Sequence, residues 1–222
     1  FDKVGATGTS GEGQMQEELM LRLIAGAAAT IDTHAEQLTR LDQAIGDGDH
    51  GINMERGFTE VMKQQDAIAA LPLGEALKEL GKTLVMKVGG ASGPLYGTLF
   101  IDMGKAAPDG VPSMVELSAM LDAGIAGVKA RGKSERGMKT MLDVLCPVSD
   151  TLRTRVANND LDRLDERLIA TAGHALHATA MMEAKRGRAS FLGERSVGHI
   201  DPGACSAALL IGAIVGTLVP QT

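Results

Sequence analysis

Apolar residues recur along this chain at helical spacing almost from end to end. Leu19, Leu23, Ala27 and Ile31 fall on one face of an early segment, and Leu73, Leu77, Leu80, Leu84 and Val88 on one face of another. No stretch shows the β-branched alternation of a half-buried strand. Where the helical pattern breaks, glycine, proline and aspartate gather. Reading between those breaks predicts eight helices, near 14–41, 51–69, 73–88, 95–106, 113–131, 139–157, 161–187 and 204–218. With mostly short connections, successive helices must lie antiparallel, so the expected fold is an all-α up-and-down bundle.

In such a bundle alternate connections emerge at the same end. The first (45–51), third (89–94), fifth (131–137) and seventh (187–203) hold nearly all of the glycine that accompanies Asp, Ser, Arg and His. The other three read as ordinary turns. This alternation places an active site at one rim of the bundle.

Composition narrows the class of function. The 222 residues suffice for one large domain, read as a flexible tail over 1–13 and a helical domain over 14–222. Glycine occurs 28 times, well above its usual ~7% share, in no collagen-like repeat, so it must serve loops and close packing. With 28 acidic against 22 basic residues and no basic stripe interleaved with aromatics, no nucleic-acid surface is expected. Cys146 and Cys205 form neither a CxxC pair nor a disulfide framework, and a reducing cytoplasm is the expected home. The Gly/Ser/Thr-rich N-terminus lacks the apolar core of a signal peptide. The uncharged stretch after Gly203 is diluted by Ala, Gly and Ser and reads as a buried bundle helix, so no membrane contact is expected. The 12 methionines read as core filler.

Three carboxylates, Asp42, Asp47 and Asp49, crowd one glycine-flexible connection and would repel unless a cation neutralised them. Hard oxygen donors there suit Mg²⁺; the competing reading is a solvated Asp-Gly turn. Calcium in an EF-hand register is excluded, because the twelfth position from Asp47 is Phe58 rather than a bidentate Glu. Gly89-Gly90-Ala91-Ser92-Gly93-Pro94 opens a helix and reads either as an anion cradle at its N-terminus or as a plain turn. The seventh connection carries Arg186, Arg188, Glu194, Arg195, His199 and Asp201, arginines there serving phosphates or pairing with Glu194 and Asp201. Gly127 to Ser134 matches GxxxxGK[ST] letter for letter, yet it follows a helical stretch and has no strand before it, so the match is read as coincidental, with Lys133 left near the rim. His174 and His177 read as packing histidines rather than metal ligands, and His34 as an ordinary helix residue. No Cys, Ser–His or Lys nucleophile constellation is evident.

Taken together, LDQAIGDGDHGINMERGF, MKVGGASGPLYGT, ARGKSERGMKTMLDV and KRGRASFLGERSVGHIDPGA resemble the ADP-binding L subunits of bacterial dihydroxyacetone kinases over nearly the whole chain. The resemblance implies an eight-helix antiparallel barrel that carries ADP or ATP at one end through two Mg²⁺ ions. It implies that Asp42, Asp47 and Asp49 hold the metals. It further implies that His50, Gly51, Ile52, Asn53, Ala91, Ser92, Gly132, Met141, Arg188, Asp201, Pro202 and Gly203 contact the nucleotide. The implied chemistry is phosphoryl transfer: a phosphohistidine on a partner M subunit converts ADP to ATP, which phosphorylates dihydroxyacetone on a K subunit. Two alternatives remain, a freely ATP-consuming subunit acting on another ketose such as erythrulose, and a nucleotide-dependent partner of a transcriptional regulator.

Overall fold

The computed structural model describes residues 8–218, and among these it contains helices and no strand. The α-helices are α1 (Gly8–Ile45), α2 (His50–Lys63), α3 (Gln65–Ala69), α4 (Leu73–Lys87), α5 (Ser92–Lys105), α6 (Met114–Gly132), α7 (Leu142–Ala157), α8 (Leu164–Ala178) and α9 (Pro202–Leu218). The one-turn α3 carries α2 onward past a break at Gln64, which leaves eight long helices. Each of these packs on the next, and α9 returns to α1, so the ring closes into an up-and-down barrel. Ile31, Leu38, Met54, Val61, Leu84, Val128, Leu142 and Val144 are buried in the core this closure creates.

Local chemistry explains the element ends. Ser113 and Glu116 form a reciprocal capping box, the serine hydroxyl accepting the Glu116 N–H while the glutamate accepts the Ser113 N–H, and this starts α6. Lys133 then adopts a left-handed conformation (φ 47°) that stops it. Part of the glycine excess sits in the α4–α5 seam, where a Cβ on Gly81 would reach the carbonyl of Gly97 and one on Gly104 the carbonyl of Gly74. These two helices therefore approach more closely than larger residues would allow.

Several expectations need correction. α1 begins at Gly8, so residues 8–13 of the expected tail are helical, and residues 1–7 lie outside those described. The helix expected over 161–187 ends at Ala178. There Thr179 turns its hydroxyl back onto the Leu176 carbonyl, a 3₁₀ turn follows over Thr179–Met181, and Met182 is extended. The seventh connection is not structureless: Arg188–Ser196 forms 3₁₀ turns broken at Gly193 (φ 54°). His174 and His177 are exposed on α8 and are not packing residues. The methionines are not uniformly core, since Met15, Met86 and Met181 are exposed. The 204–218 stretch is helix α9, buried through Ala204, Cys205, Ala207 and Leu210, and no described helix is long and apolar enough to cross a membrane.

Candidate functional site

The four connections expected at one rim do meet there. They line a single cleft of about 1040 Å³, floored by Tyr96 and Val128. The first connection supplies Asp42, Asp47, Asp49 and His50, the third Gly90 to Ser92, the fifth Gly132, Ser134 and Lys139 to Met141, and the last Arg186 to Ala189 and Asp201 to Gly203.

The acidic group is built from the backbone up. One oxygen from each of Asp42, Asp47 and Asp49 can be chosen so that all lie within 4.8 Å of one another, with Asp42 buried, Asp49 half-buried and Asp47 exposed. Asp42 Oδ2 accepts the backbone N–H groups of Asp49 (2.9 Å) and His50 (3.2 Å), which folds the connection round a fixed carboxylate. Gly46 makes room for it, because a Cβ there would collide with Asp42 Oδ1. Three oxygen donors, one preset and two reachable from solvent, fit a hard divalent cation such as Mg²⁺. Arg188, in the last connection, bridges the same group through Nε to Asp47 Oδ2 at 2.9 Å. Its partner is thus the metal-type carboxylate, and not Glu194 or Asp201.

Facing the carboxylates are two helix N-termini, those of α5 at Ser92 and α9 at Pro202. Helix N-termini offer unpaired N–H groups and partial positive charge to anions. His50 ties these elements together. Its Nδ1 lies 2.9 Å from Ser92 Oγ and its Nε2 2.9 Å from Ser206 Oγ, and Ser206 in turn meets the Tyr96 hydroxyl at 2.7 Å. Burial lowers the His50 pKa, against the opposing charges of Asp42 and Asp49. A neutral ring donates from one nitrogen only, so this buried chain has a direction. A Ser–His pair therefore stands on the cleft. The ring's second nitrogen meets a serine rather than the carboxylate that would orient a catalytic base.

At the far side of the cleft Asp201 is buried. Burial raises its pKa to about 7, with the charges of Asp143 and Asp42 adding to the rise and the Ala204 N–H and Lys139 opposing it. Lys139, 1% exposed, donates from Nζ to the carbonyls of Met182 (3.0 Å), Ser196 (2.6 Å) and His199 (2.6 Å). Burial pushes its pKa down while Asp201 supports the charge. Its backbone is left-handed (φ 60°), a conformation costing a side-chain-bearing residue about 1–3 kcal/mol.

Of the residues singled out from sequence, Asp42, Asp47, Asp49, His50, Ala91, Ser92, Gly132, Met141, Arg188, Asp201, Pro202 and Gly203 all line the cleft. Gly51, Ile52 and Asn53 do not. Gly51 lets α2 press onto α1, where a Cβ would meet the Ala35 carbonyl; Ile52 is 57% exposed; and buried Asn53 stands under the glycine-rich connection, close to Gly89. The P-loop-like match spans the last turns of α6 and its cap, with Lys133 exposed beside cleft-lining Gly132 and Ser134. Lys139, Tyr96 and Ser206 were missed. The one tyrosine in the chain and a serine inside an apolar helix were available signals, but no spacing rule points to Lys139.

Comparison with known proteins bears on this geometry. The DAK2 domain family matches residues 44–216. The chain is similar to the PEP-dependent dihydroxyacetone kinase 1, ADP-binding subunit DhaL, of Listeria innocua, 43% identical over 199 residues that make up 90% of this chain and 96% of that protein. It is 47% identical to the corresponding Escherichia coli subunit over 178 residues, 79% of this chain and 85% of that one. In structure it resembles the dihydroxyacetone kinase from C. freundii, solved in complex with AMP-PNP and Mg²⁺, with a TM-score of 0.71 and 22% identity, covering 90% of this chain and 34% of that one.

Proposed function

This chain belongs to the DAK2 domain family, and on that premise we propose that it is the nucleotide-carrying, phosphoryl-transfer subunit of a dihydroxyacetone kinase. In this reading ADP sits in the rim cleft with two Mg²⁺ ions held by Asp42, Asp47 and Asp49. It accepts a phosphoryl group from a phosphohistidine on an M subunit, and the ATP so formed phosphorylates dihydroxyacetone on a K subunit. The observation that carries the reading is the convergence of three carboxylates, two helix N-termini and the Arg186–Arg188 segment on one cleft.

Phosphoryl transfer asks an enzyme mainly for positioning and charge neutralisation. The metals would neutralise phosphate charge and clamp the transferring group. The protein's share follows from its own atoms. Asp42 is fixed by two backbone N–H groups, so one of the three donors is in place before ligand arrives. The backbone N–H groups of Ser92 and Gly93 at the start of α5, and that of Gly203 just after Pro202 in α9, offer donors to phosphate oxygens. Arg188, paired with Asp47, can turn its guanidinium to phosphate once a cation takes over that carboxylate. A phosphohistidine partner and a ketose-bearing partner would both approach at the open rim.

Native mass spectrometry of the freshly purified chain tests the reading. The expected species carries ADP and two Mg²⁺, resists exchange with labelled ATP, and gains one phosphoryl group on mixing with a phosphorylated M subunit. Protein that is empty, or that exchanges nucleotide freely and ignores the phosphoprotein, would overturn it.

A further inference from the structure

Lys139 takes no part in the chemistry described above, yet it is among the largest fully buried side chains of the protein. Its three ammonium hydrogens have three acceptors, the carbonyls of Met182, Ser196 and His199, and all three belong to the segment between α8 and α9. That segment carries Arg186 and Arg188 and leads into Asp201, all on the cleft.

The connection bearing Lys139 is shaped to aim it. Asp143 accepts the N–H groups of Gly137 (2.5 Å) and Thr140 (2.7 Å), one on each side of the lysine, and the left-handed backbone at Lys139 completes the turn. The neighbouring Met138 carbonyl accepts the Lys185 N–H at 3.1 Å, so the same connection grips the segment by its backbone as well. On its outer edge the segment rests on a small apolar cluster of Ile45, Ala184 and Ala189 with Leu192. Hydrogen bonds from a charged donor are the stronger kind, and three of them converge here on three separate points of the segment.

We propose that Lys139 is a positioning residue: by binding three carbonyls of the 182–199 segment it fixes where Arg186, Arg188 and Asp201 meet the phosphates of a bound nucleotide. The nucleotide half of this statement rests on the function proposed above; the clamping half does not.

The test uses the full chain carrying Lys139→Met, Lys139→Gln or Lys139→Arg. Hydrogen–deuterium exchange without nucleotide should show K139M losing protection over 182–200 while α1 to α6 exchange as in the parent. Calorimetry with Mg²⁺ should show its ADP dissociation constant raised at least about ten-fold at a temperature where the variant is folded. K139Q, with two hydrogens for three carbonyls, should fall between parent and K139M. K139R should fail to restore affinity, because a planar guanidinium does not match three convergent acceptors. A folded K139M that keeps both segment protection and an ADP constant within two-fold of the parent overturns the proposal. So does protection lost evenly round the barrel, or failure of both K139M and K139Q to fold, since either makes Lys139 a general stability element. If the parent itself binds no ADP, the proposed function fails and the exchange data alone decide the clamping role.

Discussion

The two ends of this barrel are built from the same eight long helices and share almost nothing else. At one end α1, α4, α6 and α8 stop, α2, α5, α7 and α9 start, and the connections present carboxylates, arginines and a buried lysine round a polar cleft. At the other end the interior opens into a space of about 400 Å³ lined by Leu23, Leu77, Leu80, Phe100, Met120, Leu210 and their apolar neighbours. One end has traded burial energy for placed polar groups, with buried Asp42, His50, Lys139 and Asp201 held by hydrogen bonds; the other holds the barrel closed by excluding water. Chemistry and stability are therefore separable along the helix axis, and substitutions at either end should have effects of different kinds.

Asp47→Asn is the sharpest probe of that separation. It should lower phosphoryl transfer by roughly 10³-fold, the scale of removing one electrostatic group from a transition state. Its melting temperature should stay near the parent's, because Asp47 is exposed and outside the core. A coupled activity assay beside a thermal melt reads both, and full retention of activity would remove the metal role. Leu80→Ala at the opposite end should do the reverse: about 2–3 kcal/mol lost in urea unfolding, as expected when a buried leucine is cut back, with an unchanged ADP constant. A comparable loss of ADP affinity would show the ends to be coupled.

A smaller effect concerns pH. Asp201 holds its proton to about pH 7 in the folded chain and to its ordinary value of 3.8 when unfolded. The folded form therefore binds the extra proton between those values, and the stability this lends is full below 3.8 and falls as pH rises toward about 7. Asp201→Asn, a neutral mimic, should gain on the parent as pH rises, melting almost level with it at pH 4 and a few degrees above it at pH 8, without nucleotide. Equal melting at both values would mean that the carboxylate is not penalised by its burial. The smallest effect belongs to Lys133→Ala, which should leave nucleotide affinity unchanged because the residue caps a helix rather than forming a phosphate-binding loop. Loss of binding would revive the P-loop reading.

The helices were largely legible in sequence, since 3.6-residue periodicity in Leu73 to Val88 or Leu19 to Ile31 reflects burial of one face over several turns, whereas closure of the bundle into a barrel was implied only by the family resemblance. The rim was legible too, because the alternation of chemical and plain connections is a property of up-and-down topology. The segment after α8 was not. Apolar spacing continues past Ala178, but Thr179 and the carbonyls claimed by Lys139 divert the chain into 3₁₀ turns, and that is a tertiary effect. Gly51, Ile52 and Asn53 follow the acidic connection directly in sequence, and only the packing of α2 separates their surroundings: Gly51 against α1, Ile52 toward solvent and Asn53 beneath Gly89 and Gly90. The buried Ser92–His50–Ser206–Tyr96 chain escaped for the same reason, its members lying on three helices far apart in sequence.

Electron paramagnetic resonance of the chain titrated with Mn²⁺ in place of Mg²⁺, with and without ADP, tests the central claim most directly. The account predicts two Mn²⁺ per chain in the presence of ADP, close enough to couple, with both signals weakened in Asp47→Asn. A single ion, or manganese binding that is indifferent to ADP and to Asp47, would contradict the assignment of this rim as a metal–nucleotide site.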